Sequence, residues 1–148
     1  MSQPYVVRLF GSKHDLFAAA LARICDAIVA SFEQVAPGPD AARDLGDVYV
    51  RLLGDRDKLR VLMHGFVAGA DPTFGLQARR TLVRAFEIFK ELTGEDDEAA
   101  RNFVASGMLI NVLLAAEAPE HADEHGVGHL LVCAVGADAA AELITDAA

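Results

Sequence analysis

The sequence predicts an all-α fold, and three observations carry that reading. Apolar residues come in doublets spaced by four, β-branched runs are short, and alanine is abundant. Glycine and proline fall mainly between the periodic segments, where they act as punctuation. A chain of 148 residues, 53% of them apolar, suffices for one well-cored domain and is too small for two.

Taken in order, the first segment is short. Ser2 is a good N-cap, Pro4 sits where a missing N–H costs nothing, and Val6, Val7, Leu9 and Phe10 supply an apolar side up to Gly11. Ser12 then caps a long helix, with Asp15 as a short-armed partner in a capping box. Its pairs Leu16/Phe17, Ala20/Leu21, Ile24/Cys25 and Ile28/Val29, followed by Phe32, form a continuous apolar stripe that needs a partner. Pro37-Gly38-Pro39-Asp40 ends that helix and is the clearest internal linker.

Leu45, Val48, Tyr49, Leu52 and Leu53 mark a short amphipathic helix stopping near Gly54. Leu59, Leu62, Met63, Phe66 and Val67 mark another, interrupted at Gly69 and Pro72. From Thr73 to Thr93 a longer helix runs to Gly94, a natural stop, and Glu95 to Glu98 place four acids in the next first turn, where the helix dipole favours them. Phe103 to Ala116 is apolar nearly all round, so it lies at the centre of the monomer or has one face covered by a second subunit. Pro119 ends it, Glu120 to Gly128 reads as a polar loop, and Val127 to Ile144 forms a last helix interrupted at Gly136.

Charge divides the chain unevenly. The total is −9, yet Met1 to His14 holds Arg8 and Lys13 and no acid, while 11 basic against 22 acidic residues leave the remainder at −11. So acidic a body repels nucleic acid; only the first segment could approach it favourably. No signal peptide precedes Ser2, the run Phe103 to Ala116 is too short to span a bilayer, and a cytoplasmic setting without membrane contact is expected. Cys25 and Cys133 both fall on apolar faces, which predicts reduced, buried thiols.

Catalytic patterns are missing. There is no nucleophile elbow, no phosphate-cradling glycine loop, no C-x-x-C and no usable acid/base pair, so neither an enzyme nor a cofactor is expected. His121, His125 and His129 are spaced by four and would share one face of a regular helix, where they could hold zinc or nickel. Pro119, Gly126 and Gly128 argue against a regular helix there, so a solvated loop and no metal are expected.

The stretch SQPYVVRLFGSKHDLFAAAL, through Ser2, Pro4, Tyr5, Phe10, Gly11, Ser12, Lys13, Leu16 and Phe17, resembles the second half of the DNA-binding domain of the tetracycline-repressor (TetR) family. In that family a recognition helix ending in an aromatic residue is followed by Gly-Ser-Lys and the long helix joining reader to sensor. The resemblance covers about twenty residues closely and the rest by length and pattern, most visibly at Gly107-Met108-Leu109-Ile110-Asn111-Val112. One departure stands out. The two helices that precede the recognition helix in the family have no counterpart before Ser2, and the natural protein is expected to be longer, with a valine codon read as the start at Met1.

The resemblance implies a remnant recognition helix over residues 1–11 and a ligand-sensing, dimerising bundle over residues 12–148. It implies DNA-facing roles for Ser2, Gln3, Pro4, Tyr5 and Arg8, with Lys13 at a helix N-terminus that attracts phosphate. DNA binding is expected only of a longer form, because a helix of about seven residues without its packing partners is marginal in water. An apolar effector cavity is implied near Met63, His64, Phe66, Phe74, Phe86, Phe89 and Asn111, with plain core packing as the competing reading for each and a simple hydrogen bond as that for His64. Asn111 needs a partner, across a dimer or in the cavity. The homodimer interface is implied on the last two long helices, at Phe103, Gly107, Met108, Ile110, Leu114, Leu131 and Val135. A helical sensor or dimerisation module that never touches DNA is the rival expectation.

Overall fold

The computed structural model describes residues 11–147. The described residues form seven α-helices and one 3-10 turn, with no strand among them. The helices are α1 (Lys13–Glu33), α2 (Ala41–Leu53), α3 (Arg56–Val67), α4 (Pro72–Thr93), α5 (Asp97–Ala115), α6 (Val127–Val135) and α7 (Ala137–Ala147), with the 3-10 turn at Pro119–His121 between α5 and α6. The segment expected as a helix before Gly11 lies outside the described residues. The all-α expectation holds for the rest.

Local chemistry explains where most helices begin. Ser12 Oγ accepts from the backbone N–H of Asp15 at 3.1 Å, and its hydroxyl donates to Asp15 Oδ2 at 2.6 Å. The capping box therefore closes on the serine hydroxyl, since the Asp15 arm is shorter than a glutamate. Asp55, Asp71 and Asp96 cap α3, α4 and α5 by accepting from first-turn N–H groups. Pro72 opens α4 at its first turn, and Asp96 is the cap of α5, so only Asp97 and Glu98 of the four acids lie in its first turn.

The C-terminal ends of α4 and α5 need left-handed backbone. Gly94 stops α4 at φ 72°, a conformation that costs glycine nothing. At the end of α5 the same role falls to Glu117, at φ 56°. Its N–H bonds the carbonyl of Leu114 at 3.2 Å, and that of Ala118 bonds Leu113 at 2.9 Å, which is a Schellman closure with a non-glycine residue in the strained seat.

Long α1 packs against α2, α3 and α4, and α5 closes over α2, α3 and α4. The stripe read along α1 becomes the centre of the core: Leu21, Ile24, Cys25, Ile28 and Phe32 are buried. Gly65 of α3 permits the close α1–α3 approach, because a Cβ there would stand 2.5 Å from Leu21 Cδ1. A smaller cluster of Leu113, Ala118, Leu131 and Ala140 fastens α6 and α7 to the end of α5. The loop Pro37-Gly38-Pro39 is pinned to the opposite end of α4 through Gly38 N–H to Leu92 O at 3.0 Å.

Candidate functional site

Five helices leave a cavity between them. Ile28 and Phe32 come from α1, Tyr49 from α2, and Leu62 and Phe66 from α3. Thr81, Leu82 and Ala85 of α4 and Phe103, Val104, Gly107 and Met108 of α5 complete the wall. The room for the centre of a water-sized sphere is about 40 Å³. That exceeds what one water needs and falls well short of the ~150 Å³ of a dry cavity that holds benzene, so the almost all-carbon wall admits an aromatic guest only by yielding.

The polar groups beside the cavity are already partnered. Tyr49 Oη donates to Asn111 Oδ1 at 2.9 Å, and Asn111 Nδ2 lies 3.6 Å from Met108 Sδ. Asn111 is fully buried, so this bond is its replacement for water. Burial, only partly offset by the bond to Asn111, pushes the Tyr49 phenol up to about 12. Thr81 Oγ1 donates to Gln77 O at 2.9 Å, satisfying itself within α4. The Tyr49 ring lies close over Gly107, where a Cβ would stand 3.4 Å from Tyr49 Cε1, an ordinary contact.

Of the seven residues expected around a ligand, Phe66 lines the cavity and Asn111 stands behind Tyr49. The others are elsewhere. Met63 and His64 border a separate cleft with Arg56, Arg60, Leu114 and Glu120. Phe74 packs edge-on to Phe17 and stacks on His14, at the foot of α1. Phe86 lies in a groove between α4 and α5, and Phe89 is core, stacked on Phe103 at 4.8 Å. The expectation chose large aromatic residues along α3 and α4, whereas the cavity forms where five helix faces cross. Tyr49 and Thr81, polar residues on otherwise apolar faces, were the legible signals that it missed.

Of the seven expected interface residues, three are buried and four half-buried within this chain. Ile110, Leu114 and Leu131 are buried within this chain. Phe103 packs on Phe32 and Phe89, Gly107 and Met108 line the cavity, and Val135 packs against the core. On α5 the outward apolar residues are Leu109 and Val112, exposed by 40% and 52%, and on α6 they are Leu130 and Val132. One residue along a helix turns a side chain by about 100°, so an adjacent choice of residue reverses the face.

The histidines do not converge. His121 is in the 3-10 turn, paired with Glu124 at 3.1 Å, His125 is exposed in the following turn, and His129 is on α6 beside Cys133. No group of three or more metal-ligating side chains forms among the described residues. Cys25 is buried, and burial raises its thiol; Cys133, expected buried, is exposed because α6 turns that side outward.

At the front, Ser2, Gln3, Pro4, Tyr5 and Arg8 lie outside the described residues. Lys13, the first residue of α1, is exposed. Beside it the His14 ring donates through Nε2 to Asp71 Oδ2 at 3.0 Å, while Asp71 Oδ1 accepts from the N–H groups of Thr73 and Phe74. The hydrogen bond to Asp71 holds His14 protonated above its ordinary 6.5, and its counterpart holds Asp71 below 3.8. No helix among the described residues is long and apolar enough to cross a membrane. Comparisons with protein-family models, curated proteins and solved structures found no match to this chain.

Proposed function

We propose that this chain is the sensor of a cytoplasmic TetR-type transcriptional regulator, a homodimer whose cavity takes a small apolar effector. One observation carries the reading: α1 and α4, which both wall the cavity, also meet at the foot of α1. There α1 begins at Lys13 beside the basic first segment, and its His14 is bonded to Asp71, the cap of α4. Deeper in, the same α1 and α4 contribute Ile28, Phe32, Thr81 and Leu82 to the cavity. A guest that moves α4 against α1 changes how the front of the molecule is held. In a dimer that would alter the spacing of two DNA-reading segments, which must match about one helical turn. Outward Leu109, Val112, Leu130 and Val132 supply apolar surface for the second copy.

The test is DNA-fragment binding by this chain beside a form extended upstream in frame, each at about 50 and 200 mM salt. A steep loss of affinity with salt for the extended form supports the reading. Failure of both forms to bind would leave a second reading, a DNA-independent sensor or dimerisation module, which the −11 excess outside the first segment favours.

A further inference from the structure

The cavity has a neighbour that changes what it can hold. Between α4 and α5 a surface groove of about 910 Å³ is lined by Leu82, Val83, Phe86, Val104 and Ala105, with charged side chains on its rim. Leu82 and Val104 line both spaces, so two half-buried side chains are the wall between groove and cavity. The cavity also meets the α1–α4 seam, at Thr81. That side is closed differently: Thr81 is buried with its hydroxyl bonded to Gln77, and Arg84 bridges the seam to Glu33 at 3.0 Å. Parting two aliphatic side chains needs only rotamer changes, whereas parting the seam breaks an ion pair.

The groove rim carries both signs, and its cations are all engaged. Lys90 pairs with Asp97 and Arg101 with Glu98 at 3.2 Å, while Arg84 is shared by Glu91 at 2.9 Å, Glu87 at 3.7 Å and Glu33 at 3.0 Å. An anionic head group would therefore meet no uncompensated cation on the rim, and an ionic head of either sign would lose its hydration within the cavity for nothing.

We infer that cavity and groove form one bipartite site, opened between Leu82 and Val104, for an uncharged apolar molecule too long for the cavity alone. One end fills the space beside Tyr49 and the remainder lies along Val83 and Phe86. This rests on the sensor reading above and names the ligand class of that site.

The probes are toluene and n-hexylbenzene, measured by displacement of N-phenyl-1-naphthylamine, a neutral fluorescent hydrophobe. Hexylbenzene should bind the wild-type chain at least about tenfold tighter than toluene, by the area its chain buries in the groove. Val83→Trp, an exposed substitution that fills the groove, should erase that advantage while leaving toluene binding and the melting temperature unchanged. Ala85→Leu, which fills the cavity, should weaken both ligands. 4-Hexylbenzoate should bind at least about tenfold more weakly than hexylbenzene, since the ionised head must be desolvated. Unchanged hexylbenzene affinity in Val83→Trp, or equal binding of the benzoate, overturns the bipartite site and leaves the sensor reading standing. Failure of both hydrocarbons to bind the wild-type chain overturns both.

Discussion

Replacing Tyr49 by Phe isolates a buried hydrogen bond between two polar side chains beside the cavity. The ring stays, so its packing on Phe32, with centroids 5.8 Å apart, and its place over Gly107 survive. What is lost is the hydroxyl that donates to Asn111 Oδ1 at 2.9 Å. Asn111 is fully buried, so its carbonyl is left without a donor, a condition that costs about 1–3 kcal/mol. A water drawn into the cavity would bring the cost toward the lower end of that range. For 148 residues this corresponds to a melting temperature about 3–10 °C lower. Urea unfolding at fixed protein concentration should show a lower midpoint with an unchanged slope. The decisive variant is Tyr49→Phe with Asn111→Leu, which removes both polar partners and keeps the volume. It should be at least about 1 kcal/mol more stable than Tyr49→Phe alone, because no orphaned group remains. A loss below about 0.5 kcal/mol in Tyr49→Phe, or strict additivity of the two changes, would refute the argument.

Four further outcomes follow from the backbone and the front of the molecule. Gly46→Ala, with nothing within 4 Å of the new Cβ, should gain about 1 kcal/mol from helix propensity. Gly75→Ala should lose about 1–3 kcal/mol in the same denaturation assay, because its Cβ would stand 2.1 Å from the carbonyl oxygen of Gly69. Glu117→Gly should raise stability by about 0.5–1 kcal/mol by relieving the left-handed seat at the end of α5, and a loss would contradict the strain assigned there. The His14–Asp71 pair makes stability depend on pH at both ends of its window. Raised His14 contributes fully below 6.5 and fades as pH climbs through its higher folded value; lowered Asp71 contributes fully above 3.8 and fades below it. The stability difference between wild type and His14→Ala should therefore be largest between those two limits and shrink toward about pH 9, and a flat difference across that range would refute the pairing.

How far the fold could be read follows from what each signal depends on. Periodicity and punctuation are local, so the stripe along α1, the stop at Gly94 and the break at Gly136 were all legible. The start of the last helix at Val127 was legible too, where Gly126 at φ 81° turns the chain, although the polar loop was read on to Gly128. For the site, the sequence marked Asn111 as a polar residue in need of a partner, and Phe66 as part of an apolar wall. It could not name Tyr49 as that partner, because the two are 62 residues apart and meet only when α2 crosses α5.

The resemblance implied Phe74, Phe86 and Phe89 as lining, with core packing as the competing reading, and their neighbours are His14, the outer groove and Phe103. The helices and their caps depend on residues a turn or less apart, and the acidic cast of the body on composition, so both could be read along the chain. Which face of α5 is inside depends on the helices that cross it, so that Ile110 and Leu114 are core while Leu109 and Val112 are surface. A helix that is apolar nearly all round carries no internal mark of its buried side; the crossing helices choose it.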